Sequence, residues 1–123
     1  MRKSALFYSY DMPERWKGMV GTRRKGNRTD FVLLWEEDPG CSGLLASLRC
    51  VKRRILKPDE YTELLGSLQG PDGAMHWLYV SYGQEGSVSG ENEDLYWRIR
   101  DQMWQVFESI EASEGYLLER AGI

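Results

Sequence analysis

Between Glu91 and Ala112 the apolar residues recur with helical spacing. At about 100° per residue, Leu95, Ile99, Met103, Val106 and Ile110 fall within an arc of roughly 80°. Tyr96 and Phe107 widen that arc, Trp97 and Trp104 form a shoulder beside it, and Asp94, Asp101 and Glu108 repeat on the far side. The spacing predicts one long amphipathic helix over Glu91–Ala112, with its apolar stripe buried and its acidic row in solvent.

Elsewhere the pattern is shorter. Lys3–Tyr10 is aromatic-rich and reads as a strand. Asp11-Met-Pro-Glu14 opens a single helical turn through Lys17, where the missing N–H of proline costs nothing. Gly18 to Arg28 reads as a glycine-punctuated basic loop, and Thr29–Glu36 as a strand covered on both faces. Ser42–Leu56 supports two readings. Leu44, Leu45, Leu48, Val51 and Ile55 make a helical stripe, which is slightly favoured. Leu44, Ala46, Leu48 and Cys50 make a period-two strand that would pair back onto Thr29–Glu36, but Lys52 and Arg54 break the alternation. Pro58-Asp59-Glu60 opens a short helix with Tyr61, Leu64, Leu65 and Leu68 inward. Met75–Tyr82 is a strand by its aromatic and β-branched content, and Tyr116–Ile123 is a last helical turn or an edge strand. The expected fold is α+β: a small, mostly antiparallel sheet of three or four strands packed against one long amphipathic helix and one or two shorter helices, in a single domain spanning residues 1–123.

A chain of 123 residues can bury a core without staples, and 41% hydrophobic with 28% charged residues is globular rather than disordered composition. Cys41 and Cys50 have neither zinc spacing nor the numbers for a disulfide framework, and the sole histidine, His76, sits in a strand-like run as a structural residue. No metal and no cofactor are therefore expected. No apolar run approaches the ~18 residues of a membrane span, and the N-terminus turns polar too soon for a signal peptide. The expectation is a cytoplasmic protein with no membrane partner.

Charge divides the chain. Residues 1–60 carry 13 Lys/Arg against 8 Asp/Glu, and residues 61–123 carry 3 against 11. Either the halves neutralise each other through ion pairs, or each presents a surface of one sign to a partner.

Few chemistries fit. Asp94, Asp101 and Glu108 stand about 10 Å apart along a helix, too far for an acid–base pair or a shared metal. The loop from Gly18 to Arg28 matches neither a Walker A nor a dinucleotide fingerprint. The leading expectation is a non-enzymatic protein-binding module, in type a small acidic inhibitor such as an immunity, antitoxin or phage anti-defence protein. Its partner-binding residues would be Asp94, Trp97, Asp101, Trp104, Glu108 and Glu111, with acidic steering and aromatic anchoring. Self-association is a further possibility for the tryptophan shoulder. The alternative is nucleic-acid binding through basic clusters at residues 15–28 and 49–57, with Arg23, Arg24, Lys25, Arg28, Arg53 and Arg54 on the phosphates.

Overall fold

Alternation, rather than helical period, governs most of the chain. The computed structural model describes residues 1–84 and 86–121, which contain nine strands. Strands β1 (Arg2–Ser4) and β2 (Tyr8–Asp11) form a hairpin, and β2 pairs also with β8 (Glu111–Ala112) in a three-stranded sheet. Strands β3 (Val20–Lys25), β4 (Arg28–Leu33), β5 (Leu44–Val51), β6 (Thr62–Gln69), β7 (Met75–Tyr82) and β9 (Leu117–Arg120) build a six-stranded antiparallel sheet ordered β3-β4-β5-β7-β6-β9. One helical stretch follows β7: a 3₁₀ turn at Gly90–Asn92, then α1 (Glu93–Arg100) and α2 (Trp104–Glu108). The molecule is mostly β, which corrects the expected three or four strands against one long and one or two shorter helices.

Each correction has a local cause. The basic loop expected at Gly18–Arg28 is a hairpin. Gly26 takes φ +60° at the first central position of its two-residue turn, the conformation a type II′ turn needs. Its strand was hidden because β3 is a sheet edge, where Arg and Lys replace the apolar half of the alternation. Ser42–Leu56 takes the strand reading, and the Lys52 and Arg54 that spoiled its alternation lie beyond its end at Val51. Residues 58–68 expected as a helix enter β6 instead; Asp59 closes a turn by accepting the Tyr61 N–H at 3.0 Å and, through its carbonyl, the Thr62 N–H at 3.1 Å. Tyr116–Ile123 supplies the edge strand β9, and Gly122 and Ile123 lie outside the described residues.

The long helix is broken near its middle. The N–H groups of Gln102 and Met103 bond carbonyls three residues back, at 2.9 and 3.1 Å, so the chain tightens into 3₁₀ geometry between α1 and α2. It ends when the Arg120 guanidinium takes the carbonyls of Phe107, Glu108 and Ile110 at 3.2, 2.9 and 2.9 Å, satisfying groups a helix terminus leaves open. The stripe itself is buried as expected at Ile99, Met103, Val106 and Ile110, joined by Tyr96 and Phe107, while Leu95 is half-buried.

Both the helical stretch and the small sheet cover one face of the large sheet. Cross-strand partners share a face, so Phe31, Ala46 and Tyr82 line up across β4, β5 and β7, as do Thr29, Leu48 and Val80. These meet Tyr8, Tyr10, Ile99 and Val106 in one core. Edge-to-face contacts run Tyr10–Phe31–Phe107–Tyr82 with ring centroids 5.5, 6.2 and 6.0 Å apart. Helix α1 is pinned at two points: the Tyr96 hydroxyl donates to Leu44 O at 2.7 Å and Arg100 Nε to Gly83 O at 2.8 Å. A β-carbon at Gly83 would overlap both the Leu44 carbonyl and the Tyr96 hydroxyl, so only glycine allows this approach.

Candidate functional site

The face of the large sheet turned away from the helices carries the most unusual arrangement of charge. Register aligns Lys25 with Arg28, Arg28 with Arg49, Arg49 with Tyr79 and Tyr79 with Leu64, one row across β3, β4, β5, β7 and β6. Cys50 N–H donates to Asn27 O at 3.0 Å, a bond that flanks the Arg28–Arg49 pair rather than joining it. That marks the narrow type of antiparallel pair, with Cα atoms about 4.5 Å apart and side chains close. Three cations thus stand abreast on adjacent strands.

The next row is Arg23, Asp30, Ser47, Ser81 and Thr62. Asp30 is its one carboxylate, held by the Ser47 hydroxyl at 2.6 Å and by Arg28 Nε at 3.2 Å. Among the described residues Arg23, Lys25 and Arg49 pair with no carboxylate.

Beyond Val51 the chain folds back over the same face. The buried Tyr79 hydroxyl ties it there, accepting the Ile55 N–H at 2.8 Å and facing Ile55 O at 3.4 Å. Arg54 lies over the Trp77 ring at 5.4 Å, and Leu56 is 88% exposed at the tip of this basic loop. Under it is a hollow of about 240 Å³ lined by Arg54, Ile55, Leu56, Pro58, Leu64 and Tyr79. Tyr79 and Leu64 belong to the cationic row as well, so charge and hollow are continuous.

Of the two basic clusters, Arg23, Lys25, Arg28 and Arg49 share this face and Arg54 borders it; Arg53 is exposed in the loop beyond Val51, and Arg15 lies on the other side, donating to Gln102 and Gln105 of the helical stretch at 2.8 Å. Arg24 points to the opposite face, in line with Thr29 and Leu48; there it lowers slightly the Tyr8 phenol, which burial pushes up to about 12. Arg49 was missing from the expected set. Its signal was the strand reading of Leu44–Val51, which turns Arg49 outward beside Ser47 once Leu48 and Cys50 turn in.

The acidic set is less unified. Asp94, Asp101 and Glu108 are exposed on the helical stretch, and Trp104 between them is 51% exposed. Trp97 is half-buried, edge-on to Tyr96 at 5.3 Å with Arg100 4.9 Å from its ring centre, and so belongs to the packing of α1. Glu111 sits on β8 and is paired with Arg2 at 3.0 Å. A further acidic hollow is bordered by Trp35, Glu36, Glu37, Asp38 and Glu91. The Glu36 carboxylate is already committed, to the Ser89 N–H and hydroxyl and to Asn92 Nδ2, and the Ser89 backbone bond leads in holding its pKa below the usual value.

No group of three or more His, Cys, Asp or Glu that could hold a metal occurs among the described residues, and no helix is long and apolar enough to cross a membrane. Comparison of the chain with family models, with curated proteins and with solved structures returns no match.

Proposed function

We propose that this protein is a nucleic-acid-binding module that holds the phosphate backbone on the outer face of its large sheet. The observation that carries this is the row Lys25–Arg28–Arg49. Like charges directly opposite one another destabilise a sheet, and among the described residues only Arg28 of the three has a carboxylate at hand. An anionic polymer removes that repulsion and gains the release of its own counterions. Between the two expectations drawn from the sequence, the geometry favours the alternative.

Anisotropy of labelled oligonucleotides tests it. With Lys25, Arg28 and Arg49 each neutralising one phosphate, log affinity is expected to fall against log salt with a slope of about −2 to −3. Lys25→Glu with Arg49→Glu should abolish binding. No anisotropy change with any oligonucleotide at low salt ends the proposal.

A second reading keeps the acidic helical face for a basic protein, because Trp104 is half-exposed between Asp101 and Glu108. Exposed aromatics ringed by charge are the usual anchors of such contacts. Asp101→Lys with Glu108→Lys should then weaken capture of that partner while the melting temperature stays within a degree or two. Unchanged capture removes this face from consideration.

A further inference from the structure

The continuity of the cationic row with an apolar hollow narrows the ligand. Resting on the nucleic-acid reading above, we infer that the ligand is single-stranded and that one unstacked base enters the hollow between Leu56 and Leu64. The row delivers a phosphate backbone to Arg49, and the next positions along it are Tyr79 and Leu64. A backbone held on Lys25, Arg28 and Arg49 therefore brings its bases to the mouth of the hollow.

Size selects the occupant. A dry cavity of about 150 Å³ accepts a benzene ring, and whole drug-sized ligands need roughly 300–1,000 Å³. At about 240 Å³ the hollow suits one or two fused rings and not a complete cofactor. Its walls match that occupant: Ile55, Leu56, Pro58 and Leu64 offer apolar contact, and Arg54 offers a planar cation at the rim. Duplexes keep their bases stacked inside the helix and cannot fill it, whereas single strands present a free π-face at every nucleotide. The same occupant accounts for Leu56, whose 88% exposure is otherwise an unrewarded apolar tip amid Arg53, Arg54 and Lys57.

The test compares four probes of equal length, about twelve nucleotides, by anisotropy at low salt. They are oligothymidine, oligodeoxyadenosine, a fully abasic strand with the same phosphates, and a duplex. Each base-bearing single strand should bind roughly tenfold tighter than the abasic strand or the duplex, the effect of seating one base. Leu56→Ser, at an exposed position that leaves the core untouched, should remove most of that advantage and leave abasic binding unchanged; Leu64→Ser should do the same. Equal binding of all four probes, or tighter binding of the duplex, overturns the inference and leaves the nucleic-acid reading standing. Full affinity of Leu56→Ser for oligothymidine also overturns it. If no oligonucleotide binds, while vesicles of phosphatidylserine and phosphatidylcholine in equal parts do so in a Leu56-dependent way, both fall and the face is a lipid-docking surface.

Discussion

Replacing Arg49 should make the protein more stable and less able to bind, and the two effects can be separated by a pair of isosteric variants. Arg49 faces Arg28 in a narrow cross-strand pair. With the two charges about 6 Å apart in water, their repulsion is about 0.7 kcal/mol, within the roughly 0.2–1 kcal/mol range of cross-strand terms. Arg49→Gln removes that repulsion, and Arg49→Glu replaces it with an attraction of similar size. Both lose the same length of aliphatic stem beside Tyr79, so whatever packing is forfeited is common to the two. The difference between them therefore isolates charge: Arg49→Glu should be more stable than Arg49→Gln by about 0.7 kcal/mol, or about 3 °C in Tm for a chain of this size. Calorimetric melts at low salt measure it, and the gap should close toward 0.5 M salt, where the screening length is only about 4 Å. In parallel, oligonucleotide affinity should fall from wild type to Arg49→Gln to Arg49→Glu. If Arg49→Glu melts no higher than Arg49→Gln at low salt, the cations do not repel as the register implies. If it binds like wild type, the row is not the contact surface. A gain in stability that accompanies a loss of binding is what a charge retained for function shows.

Gly83→Ala should cost on the order of 3 kcal/mol, since the added carbon overlaps the Leu44 carbonyl and the Tyr96 hydroxyl that hold α1 to β5; a urea midpoint within error of wild type would falsify that account. His76→Phe should raise Tm by a few degrees, because His76 Nδ1 is buried without a hydrogen-bond partner among the described residues and its ring already packs on Phe7 at 4.5 Å, and removing an unsatisfied group is worth about 1 kcal/mol; a lower Tm would show that the nitrogen has a partner in solution. Burial pushes the Cys50 thiol up to about 11 and the Tyr8 phenol up to about 12. Both acids are thus held neutral by the fold, so their contribution is intact below about pH 9 and is lost as pH rises through 11 and 12. Urea midpoints should be level to pH 9 and then decline, with Cys50→Ala delaying the onset toward pH 10; a midpoint that climbs above pH 9 contradicts the assignment.

What the sequence made legible follows from where the competing signals were weak. Met75–Tyr82 is the strand its composition predicts, since β-branched and aromatic residues dominate it and no helical period competes. The stripe from Ile99 to Ile110 is buried as its spacing requires, although the element is shorter and broken. Leu44–Val51 was ambiguous because leucines at 44 and 48 satisfy both periods, and pairing with β4 and β7 decides between them. Thr62–Gln69 misled for the same reason, with Leu64, Leu65 and Leu68 on a helical spacing around Gly66 and Ser67. The site was half-legible. Basic residues were plain, but which of them stand together depends on register, and one hairpin turn at Gly26 puts Lys25 and Arg28 abreast while sending Arg24 to the other side.

Register also reconciles the proposed polyanion binding with a net charge of −3. Had the basic first half and acidic second half neutralised each other, ion pairs would join them; among the described residues Arg2–Glu111 is the one that does, and Arg2–Asp11 and Arg28–Asp30 lie within the first half. Topology instead separates the outward cations of β3, β4 and β5 from the acidic row of the helices, while β1, β2, Arg15 and Arg24 place part of the first half on the helical side. Strands β3, β4 and β5 come from the first half and occupy one side of the large sheet, so their outward cations share a face. The helical stretch comes from the second half and covers the opposite face, so Asp94, Asp101 and Glu108 point away from them. The core between the two layers excludes water, and field lines from each layer leave through its own surface. On the proposed function, this arrangement predicts that a nucleic acid approaches the outer sheet face rather than the helical one. Net charge, the quantity read most easily from the sequence, is for this reason a poor guide to the surface the protein displays, which is set by the side of one sheet each charge occupies.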